Sequence, residues 1–185
     1  MVRTYKLSIV SAVLFTLALA PIGAQSNNGN RNGHAEMVSY QEVPTLSTPA
    51  SGTLDVEISK DGDSLKYTPS YQGLGTHIRF SHIHIGRPAI NGGVMVYLCN
   101  NQTPPPVGVP LPPACPEGSG TVTGTLTSAD VLAVAAQGTT AGDFAAVVDA
   151  LRAEAAYGNL HTDRFPGGEI RGQVTFHRAD SINDD

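Results

Sequence analysis

Residues 51–71 read SGTLDVEISKDGDSLKYTPSY, and this stretch sets the fold class. From Ser51 to Ser59 the apolar side chains Leu54, Val56 and Ile58 alternate with Thr53, Asp55 and Glu57. A period of two is the mark of a strand with one face buried and one solvated. Lys60-Asp61-Gly62-Asp63 is a hairpin turn in which glycine supplies a positive φ. Ser64 to Tyr71 is the returning strand.

Working outward, the same reading predicts strands at Thr76–Ile85, Val94–Cys99, Gly120–Leu126, Tyr157–Thr162 and Glu169–Phe176, with an edge strand from His34 to Glu42. The load of 20 Gly and 13 Pro suits many turns between short strands. Two short helices are expected between late strands. Thr127-Ser128-Ala129-Asp130 caps the first, Val131–Gln137, and Gly138 stops it. The second, Asp143–Ala155, places Phe144, Val147, Val148 and Leu151 at helical spacing. The fold class is therefore all-β: an antiparallel β-sandwich or flattened barrel of seven to eight strands.

The chain ends read differently. Arg3 and Lys6 precede the apolar run Leu7–Ala20, followed by small residues up to Ala24. That is the pattern of a signal peptide over residues 1–24, with cleavage after Ala24. The run is too short for a comfortable span, which takes about 20 apolar residues, and no second such run follows. The mature form is expected to have no membrane span and to be secreted or periplasmic. Residues 25–33 (QSNNGNRNG) form a flexible leader, 34–177 the β domain and 178–185 a polar tail. Export places the chain where disulfides persist. The two cysteines, Cys99 and Cys115, allow one intrachain bridge across 15 residues, six of them proline. No C-x-x-C spacing supports a metal or redox role for them.

Charge and motifs exclude several functions. With 11 Lys+Arg against 16 Asp+Glu, net −5, there is no basic surface for a nucleic-acid partner. Phosphate-loop, dinucleotide, nucleophile-elbow and zinc-protease signatures are absent. No nucleophile pairs with a base: Ser81 adjoins His82 but points to the opposite face.

The residues that could carry chemistry are histidines. In Ser81-His82-Ile83-His84-Ile85-Gly86, His82 and His84 share one face of a strand, about 6–7 Å apart along the backbone. In the last hairpin the same parity puts Asn159 and His161 on one strand, and Glu169 and Arg171 on the other, away from the core side chains Leu160 and Ile170. If these strands neighbour one another, His82, His84 and His161 form a Zn or Cu site, supported by the polar face of Asn159, Glu169 and Arg171. The alternative is a hydrogen-bonded polar ladder on a solvated face, with no metal. Phe80 shares the parity of His82, and a bulge before Ser81 would take it off that face.

These segments, with Val147-Val148-Asp149-Ala150-Leu151-Arg152, Tyr157-Gly158-Asn159-Leu160-His161-Thr162 and Pro166-Gly167-Gly168-Glu169-Ile170-Arg171-Gly172-Gln173, resemble the CHRD domain family over roughly residues 34–177. The resemblance implies an extracytoplasmic β-rich module without an assigned reaction. It favours non-catalytic binding to an extracellular protein or cell-envelope partner. The H-x-H strand also resembles the copper-binding strand of Cu/Zn superoxide dismutases. No histidine-rich zinc loop accompanies it, so that likeness stays an analogy. Two readings follow: a partner-binding CHRD module, or a copper- or zinc-binding protein using His82, His84 and His161, with redox activity by the same analogy.

Overall fold

The computed structural model describes residues 30–105 and 107–176. The expected signal peptide, most of the expected leader, His177 and the expected polar tail lie outside these residues. Nine strands and one α-helix follow in order: β1 (Asn32–Val38), β2 (Ser51–Ile58), β3 (Leu65–Gln72), β4 (Ile78–Ile85), β5 (Val94–Asn100), β6 (Gly120–Thr121), β7 (Gly124–Leu126), α1 (Phe144–Arg152), β8 (Ala156–Thr162) and β9 (Ile170–Gln173). They form one antiparallel sheet in the order β5-β4-β8-β9-β1-β2-β3-β6, with β7 also paired to β3. The sheet curls into a half-barrel. The Tyr67 hydroxyl of β3 donates to the Leu98 carbonyl of β5 at 2.9 Å, joining strands that stand far apart in the sheet order. The antiparallel all-β expectation holds, with the two halves of a single sheet enclosing one core.

The hairpin of residues 51–71 pairs in the register its alternation predicts, with Leu54 opposite Pro69 and Val56 opposite Tyr67. Leu54, Val56, Ile58, Leu65 and Tyr67 join Met37, Ile83, Leu98, Leu160 and Ile170 in a single core. Helix α1 adds Phe144, Val147, Val148 and Leu151 to it. Asp143 caps the helix by accepting from the Ala146 N–H at 3.1 Å.

Three expectations are corrected. The strand beginning near His34 is not an edge strand: β1 lies between β9 and β2. It also starts earlier, since Asn32 and Gly33, assigned to the leader, pair with Glu57 and Val56. The predicted strand Gly120–Leu126 is divided in two. Its partner position opposite the break is Pro69, which has no N–H to give the ladder, although its carbonyl still accepts from Val122 N–H at 3.0 Å. The predicted helix Val131–Gln137 does not form. The Thr127–Asp130 capping box is present, but it opens a 3-10 turn of three residues, Ser128–Asp130, and a second such turn covers Ala135–Gln137. Between them Leu132 N–H donates to the Met95 carbonyl at 2.9 Å. The open edge of β5 takes this short, β-branched segment as a partner, and seven residues are too few to resist as an isolated helix. Gly138 does end the segment in the left-handed conformation, at φ 83°.

Cys99 and Cys115 are bonded, with Cα atoms 5.1 Å apart and a sequence separation of 16. The bond ties the proline-rich loop back onto β5. Loop-closure entropy predicts that replacing both cysteines by serine lowers the unfolding free energy by about 2–3 kcal/mol. The urea midpoint should fall accordingly; an unchanged midpoint would mean that the prolines alone restrain the loop.

Candidate metal centre

Strand β4 lies between β5 and β8, so its polar face meets side chains from both. Across β4 and β8, His82 stands opposite Asn159, Phe80 opposite His161 and His84 opposite Tyr157. His161 therefore reaches the two β4 histidines on the diagonal. Ring centroids are 5.2 Å apart for His82–His161, 5.4 Å for His82–His84 and 6.1 Å for His84–His161. One nitrogen from each of the three lies within 4.8 Å of the others. Nitrogens sharing an ion at about 2.0–2.1 Å stand closer than this, and a closure of roughly 1 Å by side-chain rotation brings them in.

The sequence reading turned this face outward, away from the core, and its polar-ladder alternative took it as solvated; the face is buried. His82, His84 and His161 are 3%, 7% and 6% exposed, and every residue of β8 is buried. The expected bulge before Ser81 does not remove Phe80 from the face. In the β4–β8 ladder the irregularity falls between Ile78 and Phe80, so Phe80 keeps the parity of His82 and stacks on it at 4.5 Å. Tyr97 of β5 meets the His82 ring edge-on at 4.2 Å. His82 is held by aromatic packing alone, and neither of its nitrogens has a hydrogen-bond partner.

His84 and His161 are oriented differently. His84 Nδ1 lies 3.0 Å from the Gly92 carbonyl, and His161 Nδ1 lies 3.1 Å from the Pro166 carbonyl. A carbonyl only accepts, so each Nδ1 carries the proton and each Nε2 is left with its lone pair. Both Nε2 atoms are buried and unpartnered. This is the arrangement that prepares an imidazole to be a metal ligand: an outer hydrogen bond fixes the tautomer and the ring plane. Burial holds the rings neutral. It pushes His84 and His161 down to about 4 from 6.5, and lowers His82 well below its ordinary value. Arg171 adds to the effect at His84, and Arg79 at His161.

The supporting residues separate into two groups. Asn159 and Arg171 share the imidazole face. Glu169 does not join them: its carboxylate accepts from the Thr162 hydroxyl at 2.7 Å. Thr162 has the core-facing parity of Leu160, and the three histidines gather without a carboxylate. Asn159 Nδ2 donates to Glu42 Oε1 at 2.6 Å and to the Ile170 carbonyl at 2.8 Å. Glu42, which the sequence reading placed only at a strand end, is 4% exposed, and burial pushes its carboxyl up to about 7. Arg171 is also buried; it donates to Asn91 Oδ1 at 3.0 Å and to the Ile90 carbonyl. Its guanidinium lies 3.5 Å from the centre of the Tyr157 ring, and Tyr157 stacks on His84 at 4.8 Å with ring planes 2° apart. Since β8 lies between β4 and β9, Tyr157 stands between the imidazole and the cation.

Gly92 links this stack to the loop above it. Its N–H donates to the Tyr157 hydroxyl at 3.1 Å while its carbonyl holds His84. A methyl group at Gly92 would overlap the Ile85 carbonyl. Tyr97, Tyr157, Gly92 and Glu42 are the site residues that sequence reasoning missed. Only Tyr157 carried a usable signal, its parity with His161.

The protonation states set a pH dependence. Between about pH 4 and 6.5 the unfolded chain binds protons on His84 and His161 that the native chain refuses, so the metal-free protein loses stability as pH falls through this window. His82 acts in the same direction. Glu42 opposes it: its native value is raised, so its contribution is full below 4.5 and fades as pH rises to about 7. Three imidazoles outweigh one carboxyl. Thermal melts of metal-free protein should show Tm falling from pH 7 to pH 4.5, and a His84→Gln/His161→Gln variant should show a flatter profile. A wild-type Tm that is flat or rises on acidification contradicts the assignment. Gly92→Ala should cost about 1–3 kcal/mol in the same assay.

A family model of the CHRD domain matches residues 34–174, most of the chain and all of the strands that build this centre. No curated protein and no solved structure gives a significant match. Among the described residues no helix is long and apolar enough to cross a membrane. The chain belongs to the CHRD domain family.

Proposed function

We propose that the protein is an exported CHRD module that holds one copper or zinc ion between His82, His84 and His161. The observation that carries the reading is the set of four buried imidazole nitrogens without partners, contributed by three rings that converge on one point. Each unpartnered buried polar atom costs about 1–3 kcal/mol. A cluster kept only for packing has no use for such a cost, since leucine or phenylalanine would fill the same space without it. A metal ion bonds to one nitrogen of each ring, and the two Nδ1 hydrogen bonds leave His84 and His161 with Nε2 as the ligand atom.

The burial of the three rings also bears on the partner-binding role implied by the family. Side chains this enclosed are not a contact surface for a macromolecule, so the imidazole face is an interior site. Contact with an extracellular or envelope partner falls to the loops around that site. Export through a signal peptide over residues 1–24 is part of the proposal, and the Cys99–Cys115 bond suits an oxidising compartment.

Metal analysis of chain purified without a polyhistidine tag tests the reading. The expected result is one copper or zinc ion per chain, lost in a His82→Ala/His84→Ala variant whose far-UV circular dichroism is unchanged. Saturation at 100 times the dissociation constant should raise the unfolding free energy by about 2.7 kcal/mol. Chain that is metal-free and fails to take up added Cu²⁺ or Zn²⁺ removes the proposal.

A further inference from the structure

We infer that this centre, given the metal reading above on which the inference rests, is built for monovalent copper rather than for Zn²⁺ or Cu²⁺. Two features of the site point the same way: its ligand count and its charge.

The converging group consists of three histidines and nothing else. Zinc takes four ligands, and where the protein gives three the fourth is water or substrate. Divalent copper prefers a tetragonal set of nitrogen and oxygen donors. Here the approach is walled by aromatic rings: Phe80 and Tyr97 against His82, and Tyr157 against His84. The imidazole nitrogens are buried, so a water ligand would itself have to be enclosed. Monovalent copper, with its lower charge, accepts two- and three-coordinate sets and is complete with three nitrogens.

Charge weighs more. All three ligands are neutral, so the ion's whole charge stays in a low-dielectric interior. The cost of burying an ion grows with the square of its charge, and a monovalent ion therefore meets about a quarter of the penalty of a divalent one. The surrounding fixed charges deepen the difference. Arg171 lies directly behind Tyr157, and its nearest polar contacts are neutral: the Asn91 side chain and the Ile90 carbonyl. Among the described residues no carboxylate forms an ion pair with it; the buried Glu42 carboxyl feels its charge, but burial pushes that carboxyl up to about 7, so it offsets the cation only in part. Arg79 sits over Phe80 at 5.7 Å, on the other side of the cluster. Glu169 is taken by Thr162, and Glu42 faces Asn159. The soft thioethers that ordinarily single out monovalent copper are elsewhere, with Met37 and Met95 in the core. Selection here comes from charge and ligand number rather than from sulfur.

The experiment uses the full mature chain without a tag, metal-free and under anaerobic conditions. Cu(I) is titrated against a chromophoric Cu(I) chelator, Zn²⁺ against a zinc chelator, and the potential of the bound copper is read by voltammetry. The expected results are one Cu(I) per chain, retention of it in about tenfold excess Zn²⁺, displacement by Ag(I), and a potential positive of aqueous copper. Displacement of Cu(I) by Zn²⁺, or a potential at or below that of aqueous copper, overturns this inference and leaves the metal reading standing. Failure to take up any of these ions overturns the metal reading itself. Arg171→Gln should lower the potential while Arg171→Lys retains it, a change that a purely structural role for Arg171 would not produce. If Arg171→Gln does not fold, the wild-type titrations still decide.

Discussion

The structure depends on burying β8 on both of its faces. The strand runs between β4 and β9 with all seven residues out of solvent. One face, with Leu160 and Ala156, meets the apolar core. The other carries Tyr157, Asn159 and His161, and covering it commits several further segments. The loop after β4 must return so that Gly92 reaches Tyr157 and His84. The turn before β9 must bring the Pro166 carbonyl to His161. The segment after β1 must bring Glu42 to Asn159. Each of these is a polar obligation created by burial, because a buried donor or acceptor without a partner is costly. Almost every obligation on this face is met. Four imidazole nitrogens are left over, on three rings that each bring a nitrogen within 4.8 Å of the others.

That contrast gives the leftover atoms their meaning. A fold able to find partners for the Asn159 amide, the Arg171 guanidinium and two imidazole Nδ1 atoms had the means to satisfy the remaining nitrogens. Instead, aromatic rings surround His82 and exclude the water that would otherwise bond to it. The same burial keeps the rings neutral, which leaves their lone pairs available at neutral pH. Desolvation and ligand readiness are one physical effect here, and Arg171 reinforces it at His84.

Much of this was legible in the sequence because strand parity is a local property. Alternation in residues 51–71 fixed a hairpin and its register, and parity in residues 81–86 and 157–162 put His82, His84 and His161 on the non-core side of their strands, while the pairing of β4 with β8 that joins them had no local signal. Parity says which side a residue takes; it does not say whether that side is wet. A polar face was read as an outward one, yet its cover comes from loops that carry no periodic signal. Glu42 was invisible for the same reason, since it follows a short turn and is buried by contacts more than a hundred residues away in the chain. Glu169 failed for a different reason: it lies just outside the ladder, where alternation no longer governs direction, and Thr162 captures it. The region after β7 misled because its capping box and glycine stop are real, but the edge of β5 offered its backbone a better partner than a helix would.

The disulfide belongs to the same design. In the β4–β5 ladder Cys99 stands opposite Ser81, and Tyr97 stands opposite His82, with a register shift between the two pairs. The cross-link therefore ties the proline-rich loop to β5 two residues from Tyr97, whose ring closes over His82. His82 has no hydrogen bond to orient it, and the position of the Tyr97 wall is what holds it. On the other side, Gly92 and Tyr157 hold His84, and the Pro166 carbonyl holds His161. Three rings restrained by three separate devices have only small rotations left to them, of the size that closing on an ion as proposed would take. A restrained ligand set discriminates better than one that adapts to any ion. The residues most distant from the imidazoles in sequence, Cys115 and Glu42, thus bear on the chemistry through the rigidity and the electrostatic setting they give it.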